Sequence, residues 1–313
     1  MLKTASQLGI RVDMVEKDFW VCWCLQRIFA VPELRRACLF KGGTSLSKVY
    51  QVIQRFSEDI DLLLDLRELG VQWLPVGQVV SRNAANVFKH ELSKKSSKYV
   101  QREILPRISS ALAEYCSVQV ADDKSEILYV RYPSICGTGD YVRPEIKLEF
   151  GALALGSPFA EHLVVPYMHD VVREIDCSAQ RIPTVAIERT FWEKIAILHY
   201  LGSDGAYRMP PERHSRHLYD IFMIGHSQFK SSAFQMKSLL KEIVAFDQRY
   251  YPRHGVDYED LTTGKIRLVA TSQNLQCLEE DYRSMQSMFF ACPPSWSELL
   301  DYLSTLQEEI NHL

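Results

Sequence analysis

At 313 residues, with 47% apolar and 24% charged side chains, the chain has an ordinary globular composition and the length for a large core split between two subdomains. A formal net charge of −3 excludes a global attraction to nucleic acid, so binding of that kind needs a local basic patch. Eight cysteines with no CxxC pair and no matching histidine spacing argue against a zinc site and fit reduced thiols in a cytoplasmic protein, and no apolar run is long enough to span a bilayer.

The first stretch is broken by Arg11, Asp13, Glu16, Lys17 and Asp18, unlike a targeting segment. Val15, Phe19, Cys22 and Trp23, then Gln26 or Arg27, fall at helical spacing and predict an amphipathic helix packed on a sheet. Trp20 and Trp23 read as core, with a base-stacking platform as their other use. Ala37 to Phe40 is a short apolar run that stops at Gly42-Gly43, as a buried strand does at a tight turn. Leu46, Val49, Tyr50 and Ile53 follow at helical spacing, with Thr44 or Ser45 placed to cap the first turn.

Ile60 to Leu64 reads as a second buried strand, interrupted at its start by Asp59 and Asp61. Side chains alternate across a strand, so the two acids share one face while Ile60 and Leu62 share the other. Like charges beside a hydrophobic strand are costly to keep ionised without a cation. Oxygen-only ligands suit Mg²⁺ (or Mn²⁺) together with substrate phosphates. The N–H groups and hydroxyls of Gly42, Gly43, Thr44 and Ser45, at a helix N-terminus, would hold a phosphate. Alone, Gly-Gly is a turn and Asp-x-Asp a solvated strand edge; in this order they imply phosphoryl or nucleotidyl transfer. No Gly-Lys-Ser/Thr stands at Walker A spacing.

Gly70, Pro75 and Gly77 mark a loop, and Ser81 to Leu92 a helix. The helix leads into a basic run: Lys89, His90, Lys94, Lys95, Lys98, Arg102 and Arg107. That run is either a solvated helix face or a patch for an RNA backbone, with Tyr99 as a stacking partner. Ser117 to Val120 and Ile127 to Tyr132 alternate as strands about a polar turn at Asp122 to Lys124. After a turn at Gly137 to Asp140, Val142 to Phe150 is another strand, with Ile146, Leu148 and Phe150 on one face and Glu145, Lys147 and Glu149 on the other.

Strand-like pieces at Val164-Val165 and Val171 to Ile175 alternate with Pro158, Pro166 and Pro183, which places a domain boundary at 180/181. From Thr184 the pattern turns helical. Phe191, Ile195 and Leu198 form its apolar face, with Lys194 either paired to Glu193 or Glu188 or reaching into a cleft. Gly202 to Gly205 and Met209 to Pro211 read as a loop, with Arg208, Arg213, His214, Arg216 and His217 as a second basic candidate. Phe234 to Tyr250, Leu275 to Phe290 and Trp296 to Ile310 are helical, the last two split by Pro293-Pro294. Their apolar faces complete a helical subdomain or bind a protein partner.

Gly42-Gly43-Thr44-Ser45 followed by Ser57-Glu58-Asp59-Ile60-Asp61-Leu62 resembles the AbiEii/AbiGii-type nucleotidyltransferase toxins of bacterial abortive-infection and toxin–antitoxin systems, which act in phage defence. These belong to the polymerase-β-like nucleotidyltransferase superfamily. Phe191 to Lys194, Arg216 to Ile221, and the stretches from Arg131 and Arg143 are similar to that family in the same order. The resemblance implies an α/β (α+β) fold: a nucleotidyltransferase domain with a small mixed sheet over residues 1–180, and a mainly helical domain over 181–313 that completes the catalytic cleft. It implies that Asp59 and Asp61 bind metal with a third carboxylate, Glu149 or in reserve Glu145. It further implies that Lys194 binds the NTP and neutralises developing charge, and that Asp220 organises Lys194 or a basic neighbour. The implied partners are an NTP, an RNA acceptor such as the tRNA 3′ end, and a separately encoded antitoxin, with no membrane. A small-molecule nucleotidyltransferase of the antibiotic-modifying kind and a non-catalytic NTP-binding module remain open.

Overall fold

The computed structural model describes residues 1–73, 81–136, 143–171, 180–203, 210, 212–270 and 272–313. The chain forms two compact units: Met1–Gln51 with Phe56–Val185, and Val52–Arg55 with Ala186–Leu313. The turn expected at Gly137 to Asp140, the strand at 172–175, Pro75, Gly77, Arg208 and most of the loop at 202–211 lie outside the described residues.

The first unit is built on a mixed sheet with seven strands among the described residues: β1 Cys38–Lys41, β2 Ile60–Leu64, β3 Ser117–Val120, β4 Ile127–Arg131, β5 Glu145–Gly151, β6 Phe159–Leu163 and β7 Arg181–Val185, in the order β3-β4-β5-β2-β1-β7-β6. The β2–β5 and β1–β7 pairs are parallel and the rest antiparallel. The fold is therefore α/β with a mixed sheet, as the alternation of β5 and the apolar run of β2 predict. Helices α1 Leu2–Leu8, α2 Val12–Phe29, α3 Pro32–Ala37, α4 Gly42–Lys48, α5 Arg82–Tyr99 and α6 Leu105–Leu112 complete the unit. A π-helical segment, Val100–Ile104, joins α5 to α6.

One face of the sheet is the core. Ile60, Leu62, Ile146, Leu148 and Phe40 bury against Leu25 and Ile28 of α2 and Ile108 and Leu112 of α6. Trp20 belongs to this core and stacks on Tyr132, ring centroids 5.4 Å apart. The other face holds the alternate set. Register pairs Lys41 with Asp61 and Asp61 with Glu149, so these three share that face with Leu39 and Leu63. The segment at Gly156 lies so close over Leu39 and Leu63 that a Cβ there would stand 2.6 and 2.8 Å from their methyl carbons. Beyond that cover the sheet opens into a cleft of about 320 Å³ lined by Lys41, Asp61, Lys124, Glu126 and Glu149.

Two elements differ from the sequence pattern. The helix after Gly42 ends at Lys48, not Ile53, because Gln51 takes φ 54° and the next four residues join the second unit. Thr184 and Val185 are strand, not helix: Thr184 pairs with Phe40, and β7 is held on its other side by β6. The two compact units accordingly divide after Val185.

The second unit comprises α7 Ile187–Leu201, α8 Ser215–Gly225, α9 Lys230–Gln235, α10 Ser238–Tyr250, α11 Ser272–Ser284 and α12 Trp296–Asn311. The expected single helix over 234–250 is two, broken at Met236. Helix α12 starts where its sequence dictates, with a capping box between Ser295 and Glu298. Trp192 is fully buried and donates its indole N–H to the Ala233 carbonyl at 2.8 Å, which ties α7 to α9.

A buried ion pair anchors α4 to α2. Lys48 pairs with Asp18 and lies 3.1 Å from the centroid of the Tyr167 ring, while Asp18 also accepts from the Tyr167 N–H at 2.6 Å. Removing one partner strands a buried charge. Lys48→Met should therefore cost about 3–5 kcal/mol in urea unfolding, and Lys48→Met with Asp18→Asn should recover most of that loss. Equal stability of the single and double variants would remove the pair from the account.

Candidate active site

Gly42 takes φ +81°, a conformation that disfavours side chains, and the Asp61 carboxylate packs on its Cα. A Cβ at Gly42 would stand 1.9 Å from Asp61 Oδ2. The glycine turn and the carboxylate strand are thus side by side. Thr44 and Ser45 do not cap α4, and both are fully buried. The Thr44 hydroxyl donates to the Asp59 carbonyl at 2.5 Å and lies 3.0 Å from Ser57 Oγ, while Ser45 donates to the Gly42 carbonyl at 2.8 Å. With both hydroxyls engaged inside the fold, they hold the shape of the turn and of the strand entry.

Asp59 precedes β2 and is half-buried. Its carboxyl is pushed up from the ordinary value, first by burial, then by the charges of Glu58 and Glu149, against Lys147 and Lys17. Lys17 ion-pairs with Glu58 and donates to the Arg143 carbonyl at 3.2 Å. Glu149, in register with Asp61, ion-pairs with Lys147. Glu145, the reserve, stands at the other end of β5, 3.7 Å from Arg131 and 3.9 Å from Arg143. The donors suit a hard divalent cation: all are carboxylate oxygens, and Asp59 carries the electrostatic cost that a cation offsets. Among the described residues no three Asp, Glu, His or Cys side chains are gathered as a metal site. The set Asp59, Asp61 and Glu149 is therefore not drawn together, and Lys147 holds Glu149 instead.

In the second unit, Asp220 of α8 has no exposed surface. Arg55 grips it through two bonds, Nε at 2.8 Å and Nη2 at 2.9 Å, and Lys194 Nζ lies 2.9 Å from Oδ2. Burial would raise the Asp220 carboxyl, but the charges of Arg55 and Lys194 outweigh it and hold it well below the usual carboxylate range. Lys194 is itself lowered by burial and by the charges of Arg55 and Arg216. Its ammonium also meets His217 Nδ1 at 3.1 Å, and burial with the Lys194 charge drives His217 far below its ordinary value. A neutral imidazole accepting at Nδ1 gives Lys194 a second fixed contact. Arg213 and Arg216 are exposed, and Asp281 of α11 anchors the start of α8 by accepting from the N–H groups of Arg213 at 2.7 Å and Ser215 at 2.8 Å.

Residues 23–302 match the family model described as nucleotidyl transferase AbiEii toxin, type IV TA system. The chain belongs to the AbiEii family. It is thus a nucleotidyltransferase toxin of a type IV toxin–antitoxin system, which implies an NTP substrate and an antitoxin. The solved structure of the nucleotidyltransferase toxin MenT4 from Mycobacterium tuberculosis H37Rv is 15% identical, with 99% of this chain and 97% of that one covered at a TM-score of 0.48. No curated protein matches the chain. No described helix of this AbiEii protein is long and apolar enough to cross a membrane.

Sequence reasoning singled out Asp59, Asp61, Glu149, Lys194 and Asp220 but missed Arg55, Lys17 and Lys48. Arg55 carried a signal of position alone, four residues before Asp59. Tyr99 is not a free stacking platform, since its hydroxyl lies 3.4 Å from Glu68 Oε2 and its ring packs on the core.

Two outcomes follow for this AbiEii protein. Gly42→Ala, by displacing the Asp61 carboxylate on the order of 1 Å, should lower kcat about 10²-fold in a pyrophosphate-release assay. Asp220→Asn leaves two buried cations short of a partner. A carboxyl depressed in the folded state contributes stability above its unfolded pKa of about 3.9 and loses it as pH falls through the folded value. The urea-unfolding gap between the unaltered protein and Asp220→Asn should be full at neutral pH and narrow below about pH 4. A gap independent of pH would remove these ion pairs as its cause.

Proposed function

We propose that this toxin transfers nucleotides from an NTP to an RNA acceptor, with the tRNA 3′ end as the acceptor class, in a reaction assisted by Mg²⁺ or Mn²⁺. One observation supports this reading: the Asp61 carboxylate rests on the Gly42 backbone, so N–H groups that would bind phosphate and a carboxylate that would bind the cation lie side by side. Asp59 and Asp61 would hold the cation, with Glu149 available once released from Lys147. The bound cation would neutralise the triphosphate and lower the pKa of the acceptor hydroxyl.

The chain's own residues do the rest. The backbone at Gly42 and Gly43 meets phosphate oxygens, and Thr44 and Ser45 keep that backbone in place. Lys194 stabilises charge that develops as pyrophosphate leaves. Asp220 and His217 hold its ammonium from two sides, so it need not reorganise as that charge appears. Arg55 keeps Asp220 ionised beside Lys194.

The test is incubation of purified protein with divalent metal, each labelled NTP in turn, and total bacterial tRNA. Labelled tRNA should form, and Asp59→Asn or Lys194→Ala should each lower transfer by at least about 10²-fold while the thermal unfolding transition stays cooperative. Transfer retained by either variant removes that residue from the mechanism. Pyrophosphate release without labelled RNA would move the acceptor to a small molecule.

A further inference from the structure

Helix α5, the π-helical segment and α6 run on without a break from Arg82 to Leu112. Leu92, Ser96, Val100, Ile104 and Ile108 are buried, and Lys94, Lys95, Lys98 and Arg102 are exposed along the solvent side. Two acids of this rod are already engaged: Glu91 lies 3.5 Å from Lys94 and 3.7 Å from His90, and Glu103 lies 2.7 Å from Arg107. Lys98 and Arg102 have no acidic partner among the described residues. The Lys94 pair is exposed and long, so it competes weakly with a phosphate.

A second observation concerns where this rod is fastened. Ser93 and Ser97 both donate to Glu126 Oε1, at 3.0 and 2.6 Å. The Glu126 carbonyl accepts from the Phe150 N–H at 2.9 Å, and its residue lines the cleft that contains Asp61 and Glu149. Lys94 and Lys98 each directly follow one of those serines, so the basic face adjoins the edge of the helix that is tied to the cleft wall. Lys41 and Lys124 carry positive charge on into the cleft.

We propose that the exposed face of α5 and the π-helical segment, bearing Lys94, Lys98 and Arg102, is a docking track for the phosphate backbone of the RNA acceptor. This rests on the RNA reading above and adds where the acceptor lies. The chain is net acidic at −3, so this cationic face is a local exception. A protein-binding face needs an apolar centre, whereas the large apolar side chain exposed on α5 is Val87 alone. A polyanion needs only the cations.

The test uses the full chain with Lys94, Lys98 and Arg102 changed to Gln together, all exposed positions, and total bacterial tRNA as the probe. Filter binding is measured across about 50–200 mM salt. Each phosphate contact on a single strand contributes about 0.7 to the slope of log Kobs against log salt, so the slope should fall by about 2. Affinity at the low-salt end should drop at least about tenfold. A control with the same charge loss, Lys3, Lys241 and Lys265 to Gln, should keep the slope of the unaltered protein. Equal slopes for all three proteins, or equal losses in both triple variants, would overturn the track while leaving RNA as the acceptor. No tRNA binding by the unaltered protein would overturn both readings.

Discussion

A carboxylate with no exposed surface cannot remain charged unless cations replace the water it has lost. Asp220 has two, Arg55 and Lys194, and that requirement organises the second unit. It fixes the facing turns of α7 and α8 and draws the segment Val52–Arg55 out of its neighbours in sequence. It also accounts for His217, whose burial next to Lys194 forbids a further positive charge. Lys194 thus carries a paired but partly desolvated ammonium, suited to meet an anion.

The first unit handles charge differently. At the margin of its apolar sheet Lys17 answers Glu58 and Lys147 answers Glu149, while Lys48 answers the buried Asp18 of α2. Asp61 packs against a glycine that cannot be replaced without moving it. Side-chain pairs can exchange partners when a triphosphate and a cation arrive, whereas a backbone contact stays.

Much of this was legible in the sequence because it follows a short period. The alternation of Glu145 to Phe150 and the apolar run from Ile60 to Leu64 state their structures locally. The residues that went unread are defined by partners far along the chain. Arg55 meets Asp220 across 165 positions and Lys17 meets the Arg143 carbonyl across 126. Thr44 was read as a cap because helix starts favour hydroxyls, yet a helix that begins at a glycine turn beside a strand offers that hydroxyl a buried carbonyl instead. Strand β7 was obscured by Pro183, which lacks the N–H that marks a ladder residue.

The four residues Val52–Arg55 have a consequence for modularity. Two units of this size invite the view that each is a transplantable part, separable by cutting the chain after Val185. Here a carboxy-terminal fragment would leave behind the guanidinium that neutralises its own buried acid, and an amino-terminal fragment would carry that guanidinium with nothing to receive it. The chain is stitched, not linked in series. A split of this chain at that junction therefore has to carry Arg55 with the helices.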